Sequence, residues 1–119
     1  MGGSHSLLLV EDDDEVRLSL RDYLSSRGHS VFVASDGIGA IKQLTDQEFD
    51  LVITDFRLEQ FGGGEFIRFL RKFCPSLPVI VISGYLEDEP SLPYPYIAKP
   101  FDYDVMNERV EEILGNAGA

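Results

Sequence analysis

The sequence is short of cysteine, of positive charge and of long apolar runs, and each shortage removes a class of function. Cys74 is the only cysteine among 119 residues, so no internal disulfide can form and folding does not call for an oxidising compartment. Ten Lys and Arg stand against 21 Asp and Glu, a formal net charge of −11. Nucleic acid and anionic membranes are held by clusters of basic side chains. Here the basic residues are scattered, and Arg68, Arg71 and Lys72 merely decorate one predicted helix. Neither a nucleic-acid partner nor a membrane contact is expected. No apolar run approaches the roughly 20 residues that cross a bilayer, and Met1 to His5 lacks the apolar stretch of a signal peptide. A cytoplasmic chain is expected, with residues 1–5 a cloning remnant.

What is present suffices for one domain. Hydrophobic residues make up 44% of the chain, enough for a core, and the length leaves no room for a second domain. Residues 6–114 are expected to form it, with the small-residue tail 115–119 disordered. Apolar runs alternate with helical patterns. Leu7 to Val10, Ser30 to Ala34, Leu51 to Thr54, Val79 to Ile82 and Tyr96 to Ala98 read as strands. Val16, Leu20, Tyr23 and Leu24 recur at helical spacing before a stop at Gly28. Asp36 can cap a helix whose apolar face is Ile38, Ile41 and Leu44. Phe66, Ile67, Leu70 and Phe73 mark a third helix, which Pro75 ends, and Val105 to Leu114 a closing one. Strands alternating with helices imply an α/β fold with a parallel sheet covered on both faces. Three prolines stand between the fourth and fifth strands, and Pro93 and Pro95 rule out a normal helix, so a loop with at most one turn is expected there. His29 is expected at the surface without a role, and Cys74 as a packing residue.

In an open parallel sheet, ligands sit beyond the carboxyl ends of the strands, where strand order switches. Five consecutive acids, Glu11 to Glu15, follow the first strand. Asp55 follows the third, Ser83-Gly84 the fourth, and Lys99-Pro100 the fifth. Glu11 and Asp12 sit directly on a strand end; Asp13, Asp14 and Glu15 suit the first turn of a helix, with Asp13 or Asp14 as its N-cap. Crowded carboxylates raise one another's pKa or demand a cation, and hard oxygen ligands suit Mg²⁺, or Mn²⁺ in its place. An Asp on a strand end is a potential nucleophile toward phosphorus, and a metal with Lys99 would neutralise the phosphoryl oxygens. Ser83 can donate to the same oxygens, while Gly84 leaves room for a phosphodonor. The chemistry inferred is phosphoryl transfer to Asp55.

Val10-Glu-Asp-Asp13, Asp50-Leu-Val-Ile-Thr-Asp55, Pro78-Val-Ile-Val-Ile-Ser-Gly84 and Ala98-Lys-Pro-Phe101 together resemble the signatures of response-regulator receiver domains of two-component signalling. The resemblance covers about residues 6 to 114. It implies a flavodoxin-like, doubly wound five-stranded sheet of order 2-1-3-4-5, with the helix between strands 4 and 5 missing or reduced to a loop. It implies that Asp55 takes a phosphoryl group from a histidine kinase or histidine phosphotransfer protein. Asp12 and Asp55 would ligate Mg²⁺, with the backbone carbonyl of Arg57 as third ligand and Glu11 acting mostly through water. Ser83 would rotate toward the phosphoryl group, Tyr96 would turn inward with it, and Lys99 would bridge to its oxygens. The peptide before Pro100 would be cis and aim Lys99. Such a domain promotes its own phosphorylation and hydrolysis but turns over no external metabolite.

The departures carry information too. Leu58-Glu59 stands where the family has Met-Pro, and Gly62-Gly63-Gly64 makes that loop looser. Arg57 and Tyr85 are bulky residues near the site, expected to hinder the attacking water and slow dephosphorylation. Without the fourth crossover helix the usual receiver dimer is not expected. The short form is similar to receivers at the C-terminal end of hybrid sensor kinases. A degenerate interaction module is the main alternative, and retention of Asp12, Asp55, Ser83 and Lys99 argues against it. A haloacid-type phosphatase would want Asp where Arg57 stands. A flavin carrier would want a hydroxyl- and amide-rich loop where the five acids stand.

Overall fold

The computed structural model describes residues 5–56, 63–84 and 94–115. Five strands, β1 (Ser6–Val10), β2 (Ser30–Ala34), β3 (Leu51–Asp55), β4 (Val79–Ser83) and β5 (Tyr96–Ala98), form one parallel sheet in the order β2-β1-β3-β4-β5. The helices among the described residues are α1 (Asp14–Ser26), α2 (Gly37–Asp46), α3 (Gly63–Phe73) and α4 (Tyr103–Leu114). This is the flavodoxin-like order expected from the sequence. The segment expected to be a loop in place of a crossover helix falls largely on residues 85–93, which lie outside the described residues.

Strand side chains point alternately to opposite faces, so a sheet covered on both sides needs continuous apolar strands. Leu7 and Leu9 of β1, with Leu51, Ile53, Ile80 and Ile82, pack against Leu20 and Leu24 of α1 and Met106 and Val110 of α4. Leu8 and Val10, with Val52, Val79 and Val81, pack against Ala40 of α2 and Phe66, Ile67 and Leu70 of α3. β1, β3 and β4 thus each serve two cores.

Local chemistry sets the helix ends. Asp13 accepts from the Val16 N–H at 3.1 Å and Asp36 from the Gly39 N–H at 2.8 Å, each satisfying a donor the first turn leaves free. Gly28 follows α1 with φ of 100°, a conformation that glycine adopts without steric cost. Gly115, expected in the tail, instead caps α4 with φ of 78°. Residues 116–119 and 1–4 lie outside the described residues.

Three further sequence expectations change. Ile38 and Phe73 are 58% and 62% exposed rather than part of the apolar faces of α2 and α3, because each occupies the terminal turn of its helix, beyond the sheet's cover. His29, expected at the surface, is buried: its Nε2 lies 3.2 Å from Asn107 Oδ1 and 3.6 Å from Glu111 Oε2. The packing of α4 beside the end of α1 closes over it. Cys74 packs against the α2–α3 core as expected.

Candidate functional site

The register assembles the site. Val10 pairs with Thr54 across β1 and β3, so the next residues, Glu11 and Asp55, emerge side by side at the switch in strand order. Ser83 pairs with Ala98 across β4 and β5, which brings Lys99 to the same edge. Carboxylate oxygens of Glu11, Asp12 and Asp55 lie within 4.8 Å of one another. Lys99 Nζ is 2.5 Å from Asp55 Oδ2 and 3.0 Å from Glu11 Oε1. Glu11, Asp55 and Ser83 are buried, while Asp12 is the most exposed of the three acids. The Lys99–Pro100 peptide is cis.

Electrostatics follow from burial and crowding. Burial pushes the Glu11 carboxyl up to about 7, opposed by the Asp13 N–H donating to Oε2 at 3.0 Å, and Asp55 adds repulsion. For Lys99, burial works to lower the pKa, but the contacts with Asp55 and Glu11 outweigh it and hold the ammonium above its ordinary range. Among the described residues, the Lys99 ammonium thus pairs with two of three clustered carboxylates. Glu11 Oε1 is buried and, apart from the ion pair with Lys99, accepts no hydrogen bond from the described residues. An oxygen-only donor set with net negative charge fits a divalent cation such as Mg²⁺.

The remaining predicted residues are placed as follows. Tyr96 is partly buried, and its hydroxyl is buried without a hydrogen-bond partner among the described residues. A methyl-sized atom on Gly84 would sit 3.9 Å from the Lys99 side chain, an ordinary contact. Gly84 lines an open cavity of about 450 Å³ with Val16, Lys99, Pro100, Phe101 and Tyr103. Arg57 and Tyr85, and with them the carbonyl ligand and the steric screen against water, lie outside the described residues. Sequence reasoning missed Arg17. Its guanidinium donates to the Glu11 carbonyl at 2.9 Å and to Asp14 Oδ1 at 2.5 Å. The available signal was a lone cation one turn into a helix that opens with acids.

The family model for the response regulator receiver domain matches residues 7–111, and the chain belongs to that family. Members act as phosphorylation-dependent switches in two-component signalling and interact with histidine kinases or phosphotransfer proteins. The chain is 34% identical to the sensor kinase CckA of Brucella abortus, over 96% of its own length and 13% of that protein. It is 33% identical to the transcriptional regulatory protein AfsQ1 of Streptomyces coelicolor, over 92% and 51% respectively. It thus spans about half or less of these relatives. Among solved structures it is similar to the receiver domain of the hybrid histidine kinase CckA, with a TM-score of 0.80 and 31% identity over 92% of this chain and 98% of that one. It is also similar to the response regulator TrrA of Thermotoga maritima, solved in complex with Mg²⁺ and BeF, with a TM-score of 0.84 and 26% identity over the same shares. No helix among the described residues is long and apolar enough to cross a membrane.

Proposed function

We propose that Asp55 accepts a phosphoryl group from a histidine of a partner kinase or phosphotransfer protein, with Glu11, Asp12 and Asp55 holding Mg²⁺. The observation that carries this is the convergence of three carboxylates within 4.8 Å on an edge where Lys99 Nζ touches Asp55. A bound Mg²⁺ supplies positive charge to the phosphoryl oxygens. In the transfer, a carboxylate oxygen of Asp55 attacks phosphorus. The P–N bond of the phosphohistidine breaks, and its electron pair stays on the imidazole nitrogen, which takes up a proton. Lys99 exchanges the Asp55 oxygen for a phosphoryl oxygen, and the Ser83 hydroxyl donates to another. The Tyr96 hydroxyl, buried without a partner among the described residues, can follow Ser83 as it moves. The domain, taken over residues 6–114, turns over no external metabolite; its product is a changed protein surface. Similarity to the receiver domain of the hybrid histidine kinase CckA supports a hybrid kinase as its setting.

Incubation with Mg²⁺ and acetyl phosphate tests this by intact mass, beside Asp55→Asn. One added phosphoryl group is expected, absent from the variant and abolished by chelator. No adduct, together with no Mg²⁺-dependent beryllofluoride binding, would leave the chain a phosphorylation-independent interaction module.

A further inference from the structure

The acidic turn between β1 and α1 must hold its shape with little help from Asp12, whose own side chain has no hydrogen bond among the described residues. The turn is tied elsewhere. Glu11 N–H donates to the Ala34 carbonyl at 3.1 Å, Asp13 N–H to Glu11 Oε2, and Val16 N–H to Asp13 Oδ1. The Glu11 carbonyl points the other way, into the guanidinium of Arg17 at 2.9 Å. Arg17 also pairs with Asp14, and only 14% of its side chain is exposed. Glu11 and Asp12 share the peptide whose carbonyl Arg17 holds, so the orientation of that peptide sets where the Asp12 carboxylate goes.

We propose that Arg17 is a positioning residue for the divalent cation, a clasp that fixes the Glu11–Asp12 peptide and so aims Asp12 at Asp55. The inference rests on the metal-site reading above. Long-range charge and positioning predict opposite signs here. A guanidinium beside a cation site repels the ion, so deleting its charge alone should tighten binding. Loss of the clasp should weaken it, since groups that orient metal ligands are worth about 10- to 100-fold in affinity. Lys cannot reproduce the two-acceptor fork, but it keeps the charge and one donor.

The test compares Mg²⁺ dissociation constants of the wild type, Arg17→Met and Arg17→Lys, read from Mg²⁺-dependent amide shifts in NMR, which report only folded protein. Methionine keeps much of the packed stem and removes the donors. Binding in Arg17→Met is expected to weaken by about tenfold, and in Arg17→Lys by about threefold. A merely structural role would lower the melting temperature and leave these constants alone. Unchanged or tighter binding in Arg17→Met overturns the clasp; should that variant not fold, wild-type affinity in Arg17→Lys does so. A wild type that does not bind Mg²⁺ overturns the site reading itself, and the clasp with it.

Discussion

Glu11 is fully buried, yet two further carboxylates lie within 4.8 Å, and the Lys99 ammonium pairs with Glu11 and Asp55. Burial is the main cause that holds the Glu11 carboxyl up to about 7, with repulsion from Asp55 added, and Lys99 only partly opposes the two. Metal-free protein therefore carries electrostatic strain at its site. Glu11→Gln keeps the shape and removes a carboxyl that ionises in the fold only above about pH 7. Above that pH it is expected to stabilise the metal-free protein by on the order of 1 kcal/mol and to reduce the stabilisation that added Mg²⁺ confers. Thermal melts of both proteins with Mg²⁺ and with chelator check this. A variant that melts lower than wild type in chelator would show that Glu11 acts by hydrogen bonding to the turn rather than by crowding it.

At the scale of elements, what covers what depends on contacts that periodicity does not encode. Strand positions were legible because two-sided burial leaves continuous apolar runs such as Leu7 to Val10 and Val79 to Ile82. Helix starts were legible because Asp13 and Asp36 are residue types that cap. The site was legible because each strand end carries its own chemical group. His29 was not: nothing local shows that α4 will cross the end of α1 and bury it against Asn107 and Glu111. Arg17 escaped for a related reason, since its main acceptor is a backbone carbonyl six residues earlier. The same seam holds the Ser19–Tyr103 hydroxyl pair and a hydrogen bond from the Tyr23 hydroxyl to Asp104. Deleting a buried polar partner costs about 1–3 kcal/mol. His29→Ala is accordingly expected to lower unfolding free energy by about 2 kcal/mol in denaturant titration, with Mg²⁺ affinity unchanged. A loss below a few tenths would mean the seam closes without it.

Across the whole molecule, Lys99 links the acidic edge to the surface that would be read by a partner. It directly follows Ala98, the last residue of β5, and its N–H donates to the Ser83 carbonyl at 2.8 Å. Four residues after Lys99, Tyr103 begins α4, with Phe101 and Tyr103 packed between. Its ammonium now serves Asp55 and Glu11; a phosphoryl group on Asp55 would compete for it and draw β5 and the start of α4 with it. Lys99→Met separates the two duties. Removing the ammonium takes away a cation that competes for Asp55 and Glu11, so Mg²⁺ should bind more tightly, by about tenfold if roughly 1.4 kcal/mol of competition is relieved. The conformational response should fall in the same variant, because a ligand shifts an equilibrium only through contacts that differ between its two states. Amide shifts of Tyr96, Ile97, Tyr103, Val105 and Met106 on adding Mg²⁺ and beryllofluoride provide the readout. They are expected to be large in wild type and small in Lys99→Met despite saturation. Equal shifts in both proteins would move the transmission to Ser83, which reaches β5 through its own pairing with Ala98.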